Sequence, residues 1–523
     1  MTYSKPNASS ATLTRNRTEP CPVSGLCVTC VDGCPGPCEV AKSAIRGGEV
    51  LYPAPFGAIT TGSQKDYPLN LSHFNIMGTT VGAVGIEADS DKAIFPNVNL
   101  ETKIGQGKGM RLKIPWFTCG LGSTKIARDN WEELAIGAAI SGTMQVIGEN
   151  VCGMDTDSKF NNGKVIHSPE LEWRVKTYKK FKEEGYGAIV VQSNIEDTRL
   201  GVLEYAISDL EVDAVELKWG QGAKDIGGEV KIKDLNKAQL LKKRGYIVLP
   251  DPEDPNIIEA FKRRYFTEFE RHSRVGMVTK EPFIDRVKEL RSLGAKYVFL
   301  KTGAYRPADV ARAVKFSSEA KIDLLTVDGA GGGTGMSPWR MMNEWGIPSV
   351  EIWSLTYQYS DRLAKRGEYI PSIAFAGGIT LEDQIFKALA LGAPYVKLVG
   401  MARAPLTAAM VAKNVGKRIK EGNLPVYYGR YGNTVDAVFV EAGRLKTELG
   451  DNFEHIPLGA IGLYTYNQRL IQGLKQLMCG ARKFAVNVIT RDDIVALTPE
   501  AARISGINYV TDADKEEVEK ILG

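Results

Sequence analysis

The sequence has 523 residues, of which 43% are hydrophobic and 24% are charged. This composition is ordinary for a globular protein, and the length allows two or three domains or one large barrel with additions. Lysine and arginine (66) outnumber aspartate and glutamate (62) by only four, so the net charge gives no reason to expect a nucleic-acid surface. No segment reaches the ~20 uncharged apolar residues of a membrane span, and the start of the sequence lacks the apolar core of a signal peptide. We therefore expect a protein of the cytoplasm.

Five of the eight cysteines lie close together near the start, within CPVSGLCVTCVDGCPGPC; they are Cys21, Cys27, Cys30, Cys34 and Cys38. Reducing compartments disfavour structural disulfides, and four thiolates are the ligand set of either a 4Fe–4S cluster or a tetrahedral zinc. The run C-x2-C-x3-C is close to the C-x2-C-x2-C of bacterial ferredoxins. We predict an iron–sulfur cluster, 4Fe–4S, with Cys27, Cys30 and Cys34 as its safest ligands. Structural zinc and other thiol chemistry are the alternatives.

From about residue 110 the sequence alternates short apolar runs with amphipathic stretches. Strands are predicted at 114–119, 143–147, 188–192, 214–218, 297–301, 324–328, 372–376 and 395–399, and helices at 130–140, 171–184, 200–209, 282–293, 307–317, 381–391 and 405–419. Such apolar runs are typical of strands buried on both faces of a parallel sheet. Eight βα units predict an α/β protein with a closed (β/α)8 TIM barrel, and a doubly wound open sheet is the alternative.

Three parts are predicted along the chain. Residues 1–60 form an N-terminal arm with the cysteine-rich iron–sulfur segment, residues 61–420 form the barrel with its lead-in, and residues 421–523 form a helical extension packed on the barrel. The connection at 219–281 is longer than an ordinary loop. It contains a glycine-rich stretch, a proline-rich turn and a helix.

Glycine-rich loops follow the last three predicted strands, as VDGAGGGTGMSP (327–338), FAGGIT (375–380) and LVGMAR (398–403). In barrels of this kind the chemistry lies at the carboxyl ends of the strands, and the last two loops form the usual phosphate site. Glycine lets the backbone approach a ligand and leaves its N–H groups unobstructed, so Gly332 and Gly333 are candidate cofactor contacts. The pattern predicts a phosphate-bearing cofactor, typically flavin mononucleotide (FMN), although glycines also serve tight turns.

Two lysines end predicted strands, Lys218 in ELKWGQGAK and Lys301 in FLKTGAY. A cation in this place can neutralise a reduced flavin or a substrate carboxylate, so we predict both as catalytic residues. A lysine that simply extends out of the barrel mouth is the alternative. Gln221, Lys224 and Glu149 are further polar candidates.

ELKWGQGAK, FLKTGAY, DGAGGGTGMSP and FAGGIT, in this order, resemble the FMN-binding synthase domain of glutamate synthases over about residues 110–410, and ALTPEAARISGI resembles the tail of the archaeal-type subfamily. The resemblance implies a flavin barrel that reduces 2-iminoglutarate, formed from 2-oxoglutarate and ammonia, to glutamate. It also implies contacts to FMN. The turn from Thr118 through Cys119 to Ser123 would approach the flavin ring, and Lys301 would contact flavin and substrate. Gln221 would contact the cofactor, and Gly377, Gly378, Gly400 and Met401 would hold the phosphate.

The sequence also departs from the family pattern. DIGGEV stands where the family usually has PGEGG, and Gly331 stands where it usually has an aspartate. The loop MARAPLTAAMVAKN lacks the cysteines that hold a cluster in bacterial glutamate synthases, and we find no N-terminal cysteine nucleophile of a glutaminase. Ammonia would therefore come from solution or from another subunit.

We find no GxGxxG fingerprint for a nicotinamide dinucleotide, so a ferredoxin-like partner is expected to exchange electrons through the N-terminal cluster. A homo-oligomer is also expected. Two other hypotheses stay open. The same cofactors could serve a different amine or 2-oxo acid, as in an N-methylglutamate synthase. The chain could instead be an electron-transfer or assembly subunit that is stabilised by a structural zinc ion and has no substrate of its own.

Overall fold

The structure is a computed structural model, and it describes residues 39–46, 65, 67–222, 229–332 and 338–523. The five clustered cysteines, Lys224 and Gly333 lie outside the described residues. Within the described part of the chain, no group of three or more histidine, cysteine or acidic side chains is placed to hold a metal ion. No described helix is long and apolar enough to cross a membrane.

The strands in chain order are β1 (Phe74–Ile76), β2 (Thr102–Ile104), β3 (Met110–Leu112), β4 (Trp116–Leu121), β5 (Met144–Ile147), β6 (Lys159–Asn161), β7 (Lys164–His167), β8 (Ala188–Ser193), β9 (Ala214–Lys218), β10 (Glu229–Ile232), β11 (Ile247–Leu249), β12 (Phe269–His272), β13 (Val298–Thr302), β14 (Leu324–Asp328), β15 (Ser372–Ala376), β16 (Val396–Met401) and β17 (Ile494–Ala496).

The helices are α1 (Glu39–Arg46), α2 (Lys125–Asp129), α3 (Trp131–Ile140), α4 (Val151–Met154), α5 (Pro169–Phe181), α6 (Ile195–Leu200), α7 (Val202–Ser208), α8 (Leu235–Lys243), α9 (Pro255–Lys262), α10 (Lys280–Ser292), α11 (Pro307–Glu319), α12 (Trp339–Glu344), α13 (Ser349–Ala364), α14 (Glu382–Leu391), α15 (Arg403–Lys420), α16 (Val426–Gly429), α17 (Val435–Val438), α18 (Ala442–Leu449), α19 (Leu458–Gly480), α20 (Pro499–Ser505) and α21 (Lys515–Leu522).

Eight parallel strands form a closed barrel in the order β4-β5-β8-β9-β13-β14-β15-β16. The ring closes where β16 pairs with β4, with Val399 opposite Trp116. This pairing confirms the predicted (β/α)8 barrel and excludes the open doubly wound sheet, whose edge strands would remain unpaired. Every predicted strand is present, with its ends shifted by two residues at most.

The barrel interior is filled by every second residue of its strands, because side chains alternate across a strand. Phe117, Val146, Val190 and Phe299 are among the buried apolar residues there. The hairpin of β2 and β3 contributes Ile104, Met110 and Leu112 to the same cluster. The interior is therefore packed with apolar side chains away from the mouth, and open space is left at the carboxyl ends of the strands.

The connection between β9 and β13 carries a three-stranded antiparallel sheet in the order β10-β12-β11, together with α8 and α9. The sequence predicts a single helix there and misses the strands. They are only three or four residues long, and charged residues such as Glu270 and Arg271 interrupt their apolar pattern. Phe269 anchors this sheet in a cluster with Phe261 and Phe266.

The C-terminal extension packs on the barrel through α19, which lies against α15 and α3. Buried hydrogen bonds tie it to the barrel wall, since Trp116 Nε1 donates to Asn467 Oδ1 at 3.0 Å and Asn467 Nδ2 donates to Ser141 Oγ at 2.9 Å. The extension has no strand set of its own within the described residues. Its strand β17 instead pairs antiparallel with β1 of the lead-in, with Phe74 opposite Ala496.

Candidate active site

The carboxyl ends of β4, β13, β14, β15 and β16 surround a cavity of about 380 Å³, which we call the glycine pocket. It is lined by Cys119, Lys301, Asp328, Gly332, Ala376, Gly377, Gly378, Ile379, Thr380, Gly400, Met401, Ala402, Arg403, Ala404, Thr407, Ala408 and Tyr466. The glycine pocket lies at the end of the barrel where (β/α)8 enzymes have their active sites.

Two glycines of the pocket have backbone conformations that side chains rarely adopt, with φ of 125° at Gly377 and 105° at Gly378. A Cβ on Gly377 would lie 2.6 Å from Ser349 Oγ, and one on Gly400 would lie 2.5 Å from Cys119 Sγ. The wall is therefore bare backbone. The eighteen-residue helix α15 also begins here, and Arg403 is its first residue. Exposed backbone beside a helix N-terminus and an arginine suits a phosphate group.

Lys301 is almost fully buried, with 5% of its surface exposed. Its Nζ forms an ion pair with Asp328 Oδ2 at 3.1 Å. Burial alone would lower the pKa of Lys301, but the carboxylates of Asp328 and Glu216 outweigh it and raise the pKa above the ordinary lysine value. The lysine is therefore a fixed positive charge in the wall of the glycine pocket.

Glu216 lies below Lys301 in the barrel interior, with 2% of its surface exposed. Gln192 Nε2 donates a hydrogen bond to Glu216 Oε2 at 2.6 Å. Burial raises the pKa of Glu216, and the positive charge of Lys301 and the hydrogen bond from Gln192 oppose that rise. A chain of polar groups thus runs from β8 through β9 and β13 to Asp328 on β14.

Cys119 lies in the same pocket, on β4, and is 3% exposed. Burial raises the pKa of its thiol to about 12, although Lys301 acts in the opposite direction. A thiol with this pKa is protonated at neutral pH, and only the thiolate is nucleophilic or binds metal. Cys119 therefore contributes shape and an apolar surface to the pocket.

A second cavity of about 400 Å³, which we call the aromatic pocket, lies at the ends of β5, β8 and β9. It is lined by Glu149, Ser193, Asn194, Ile195, Thr198, Leu217, Lys218, Trp219, Gly220, Gln221, Arg274, Val275, Gly276, Met277, Val278, Thr279, Pro282, Phe283 and Arg286. Lys218 Nζ donates to Glu149 Oε1 and to Gln221 Oε1, both at 2.8 Å. Lys218 and Lys301 are opposite each other in the pairing of β9 with β13, so the two pockets adjoin.

The structure divides the predicted site residues between these two pockets. Lys301, Cys119, Gly332, Gly377, Gly378, Gly400 and Met401 line the glycine pocket, and Lys218, Gln221 and Glu149 line the aromatic pocket. Thr118 is 3% exposed and lines neither pocket, because it alternates with the inward-facing Phe117 and Cys119 on β4. Ser123 lies in the loop after β4 and also lines neither pocket.

The lining residues that the sequence analysis did not identify include Asp328, Arg403 and Tyr466. Asp328 is the last residue of β14 and directly precedes the glycines of the VDGAGGG loop. This position in the sequence could have identified it as a site residue. Arg403 is the first residue of a helix that directly follows a glycine loop, and this position could also have identified it as a site residue. Tyr466 comes from α19, 63 residues along the chain from Arg403, and donates a hydrogen bond to the backbone oxygen of Thr380. Nothing local in the sequence points to Tyr466.

A closed (β/α)8 barrel with a glycine-lined pocket at its last two strands has the arrangement in which barrels of this kind commonly bind phosphate groups. A family profile described as the conserved region in glutamate synthase matches residues 272–414. This stretch runs from the end of β12 into α15 and includes Lys301, Asp328 and the three glycine loops. The resemblance to glutamate synthases seen in the sequence is therefore confirmed over residues 272–414.

A curated relative, the glutamate synthase large subunit-like protein YerD of Bacillus subtilis (strain 168), is 26% identical over 191 residues. The matched part is 36% of this chain and 33% of that protein, so the chain spans about a third of the length of this relative.

Solved structures with a similar fold include a flavocytochrome b2 double mutant with pyruvate bound, which is 12% identical with a TM-score of 0.47 and covers 88% of this chain and 86% of its own. A mandelate oxidase mutant with a C4a-OH-FMN adduct is 14% identical with a TM-score of 0.46, covering 85% of this chain and 95% of its own. TM-scores below 0.5 are too low to support a conclusion about function from these structures.

Proposed function

We propose that the chain is an FMN-dependent oxidoreductase that interconverts a 2-amino acid and its 2-imino acid. The observation that carries this proposal is the family match over residues 272–414, because that stretch supplies Lys301, Asp328 and the glycine loops of one pocket. The glutamate reaction, from 2-oxoglutarate and ammonia, is the member of this class that the family name suggests.

The glycine pocket fits the phosphate end of FMN. Gly377 and Gly400 leave no room for side chains, the N-terminus of α15 favours negative charge, and Arg403 lies at that terminus. The cavity is within the usual range of cofactor sites, about 300–1,000 Å³, and it adjoins a second cavity that can hold a substrate. Gly332, Gly378 and Met401 complete the wall that would hold the phosphate group.

FMN, when bound, supplies the group that accepts or donates a hydride. Lys301 would hold the negative charge that accumulates next to it on reduction, because it is buried, positively charged and fixed by Asp328. Lys218 would bind the carboxylate next to the reacting carbon of the substrate, and Glu149 and Gln221 fix its position. In the oxidative direction the Cα–H bond breaks as a hydride and the amine nitrogen loses a proton. Water then converts the imine into a 2-oxo acid and ammonia.

Electrons would pass between FMN and a ferredoxin-like protein through an iron–sulfur cluster bound in residues 1–60, by four of the five clustered cysteines. Ammonia would come from solution or from a partner subunit. A cytoplasmic homo-oligomer with its helical extension packed on the barrel belongs to the same proposal.

The test is anaerobic purification followed by reduction of the bound flavin and mixing with 2-oxo acids plus ammonia. We expect one equivalent of FMN per chain and reoxidation of the flavin by at least one acid. Lys301→Gln should slow reoxidation at least a hundredfold. Lys397→Gln is the matched control, since Lys397 is a half-buried lysine on β16 that lines a different cavity. A protein that binds no flavin, or whose reduced flavin reacts with no acid, would support the electron-transfer subunit instead.

A further inference from the structure

We propose that Tyr466, on helix α19 of the C-terminal extension, is a cofactor-positioning residue that links the two phosphate loops of the glycine pocket. The phosphate loops are residues 377–381, after β15, and residues 401–403, where β16 leads into α15. This inference rests on the proposed function, because the group that the loops would hold is the phosphate of FMN. It makes the extension a part of the cofactor site in addition to a layer packed on the barrel.

Tyr466 contacts both phosphate loops. Its hydroxyl donates a hydrogen bond to the backbone oxygen of Thr380 in the first loop, and the same oxygen atom lies 3.9 Å from Met401 Sδ in the second. The side chain also lines the glycine pocket. Among the described residues that line this pocket, Tyr466 is the one that comes from the C-terminal extension.

The first phosphate loop depends on neighbouring elements for its shape. Gly377 and Gly378 have positive φ values of 125° and 105° and carry no side chains that could anchor them. Glycine also samples more backbone conformations than other residues, so a loop of this kind needs external contacts to keep one shape. One such contact comes from α13, where Ser349 Oγ donates to the backbone oxygen of Gly377 at 2.6 Å.

Tyr466 supplies the corresponding contact at the other end of the loop. The peptide group between Thr380 and Leu381 accepts the tyrosine hydrogen bond at its oxygen, and its N–H donates to Gln384 Oε1 at 3.0 Å. Because a peptide group is planar, contacts at its oxygen and its nitrogen fix its orientation. The end of the loop is therefore held between α19 and α14.

The helix that carries Tyr466 is itself fixed in place. Asn467, the next residue, is joined to the barrel wall by the buried hydrogen bond from Trp116 Nε1. Three residues after Tyr466, Arg469 forms an ion pair with Glu382, the first residue of α14. The tyrosine hydroxyl is thus presented to the first phosphate loop from a rigid support.

The hydroxyl of Tyr466 is a proton donor near neutral pH. Burial raises the pKa of Tyr466 to about 12, although Arg469 acts in the opposite direction. The hydroxyl therefore keeps its proton and can donate to the Thr380 carbonyl. Without it, binding of FMN would have to order the end of the loop, and the free energy needed for that ordering would be lost from the affinity.

The test measures the binding of FMN to flavin-free protein by the quenching of flavin fluorescence. Tyr466→Phe keeps the aromatic ring and removes the hydroxyl, and it should raise the Kd for FMN about tenfold. Tyr464→Phe is the matched control, because Tyr464 lies on the same helix but lines a different cavity. A native Kd in Tyr466→Phe, or an equal rise in both variants, would overturn the inference alone. Native protein that binds no FMN would overturn the proposed function and the inference with it.

Hydrogen exchange distinguishes the positioning role from a general structural one. In flavin-free Tyr466→Phe, the amides of residues 377–385 should exchange about fivefold faster than in the native protein, while those of α19 keep their native rates. Unchanged exchange at residues 377–385 would mean that the hydroxyl does not fix the loop. Equally faster exchange throughout α19 would mean that it supports the extension as a whole. Either result would overturn the inference.

Discussion

The ion pair between Lys301 and Asp328 sets the charge of the glycine pocket. In this family pattern an aspartate usually precedes GGTG, and Gly331 occupies that place here. A Cβ on Gly331 would lie 2.6 Å from the backbone oxygen of Gly377, so the loop as folded has no room for an aspartate there. Asp328, three residues earlier, provides a carboxylate that reaches Lys301 instead.

Asp328→Asn should therefore impair the active site indirectly, by changing the pKa of Lys301. Without the carboxylate, burial lowers the pKa of Lys301, so its charge is lost at a lower pH than in the native protein. We expect the alkaline limb of the flavin reoxidation rate to move down by at least one pH unit. The control is Asp309→Asn, which removes a surface pair with Arg312. An unchanged alkaline limb would contradict the assigned role of Asp328.

Asp197 gives a second prediction that depends on pH. Burial raises the pKa of this carboxyl from 3.8 to about 7, although hydrogen bonds from the backbone of Asn150 and Asn194 oppose the rise. Between about pH 4 and pH 7 the unfolded chain releases this proton while the folded protein keeps it, so stability falls as the pH rises through that window.

Asp197→Asn removes this dependence, because an amide does not ionise. The Tm of the variant minus that of the native protein should increase from pH 5 to pH 7.5, as measured by differential scanning fluorimetry. Asp285→Asn, at a 72% exposed side chain, should show a constant difference. A constant difference for Asp197→Asn as well would mean that Asp197 ionises normally in the folded protein.

At the scale of elements, the loops after β14 and β15 depend on direct backbone contact. A Cβ on Gly377 would meet Ser349 Oγ at 2.6 Å and the backbone nitrogen of Gly329 at 2.7 Å. Gly377→Ala should lower the affinity for FMN at least tenfold, measured by equilibrium dialysis. Gly367→Ala is the control, since Gly367 also has a positive φ, of 74°, but open space around it. If both variants lose FMN equally, backbone strain and not close approach explains the effect.

Helices and strands whose sequences have a strong hydrophobic pattern could be predicted from the sequence, and the other elements could not. The eight barrel strands are continuous apolar runs, so each was found, and the loops that follow them led directly to Lys301 and the glycines. The short strands β10 to β12 bury one face only, which leaves a weak pattern. The helix α13 was missed too, although Trp353 on it stacks on Phe375 of β15 with centroids 5.2 Å apart. Residues that enter the site from distant segments, such as Tyr466, have no local signal.

At the scale of the whole molecule, the proposed electron path joins the barrel to residues 1–60. Cys30→Ser should remove the broad iron absorbance of the anaerobically purified protein and lower its iron content, while the flavin remains bound. Cys479→Ser, which changes a thiol at the end of α19, should leave iron and flavin unchanged. Native iron content in Cys30→Ser would contradict the cluster, and zinc in its place would support the structural alternative.

The pairing of β1 with β17 has a consequence for how the protein is made. These strands are separated by roughly 420 residues. At about 5–20 residues per second, a ribosome releases β17 about 20–80 s after β1. During this interval β1, with its apolar residue Phe74, has no partner strand. The barrel strands that lie between β1 and β17 in the sequence are already available to pair with one another. The lead-in therefore closes on the extension only after all eight barrel strands have been synthesised.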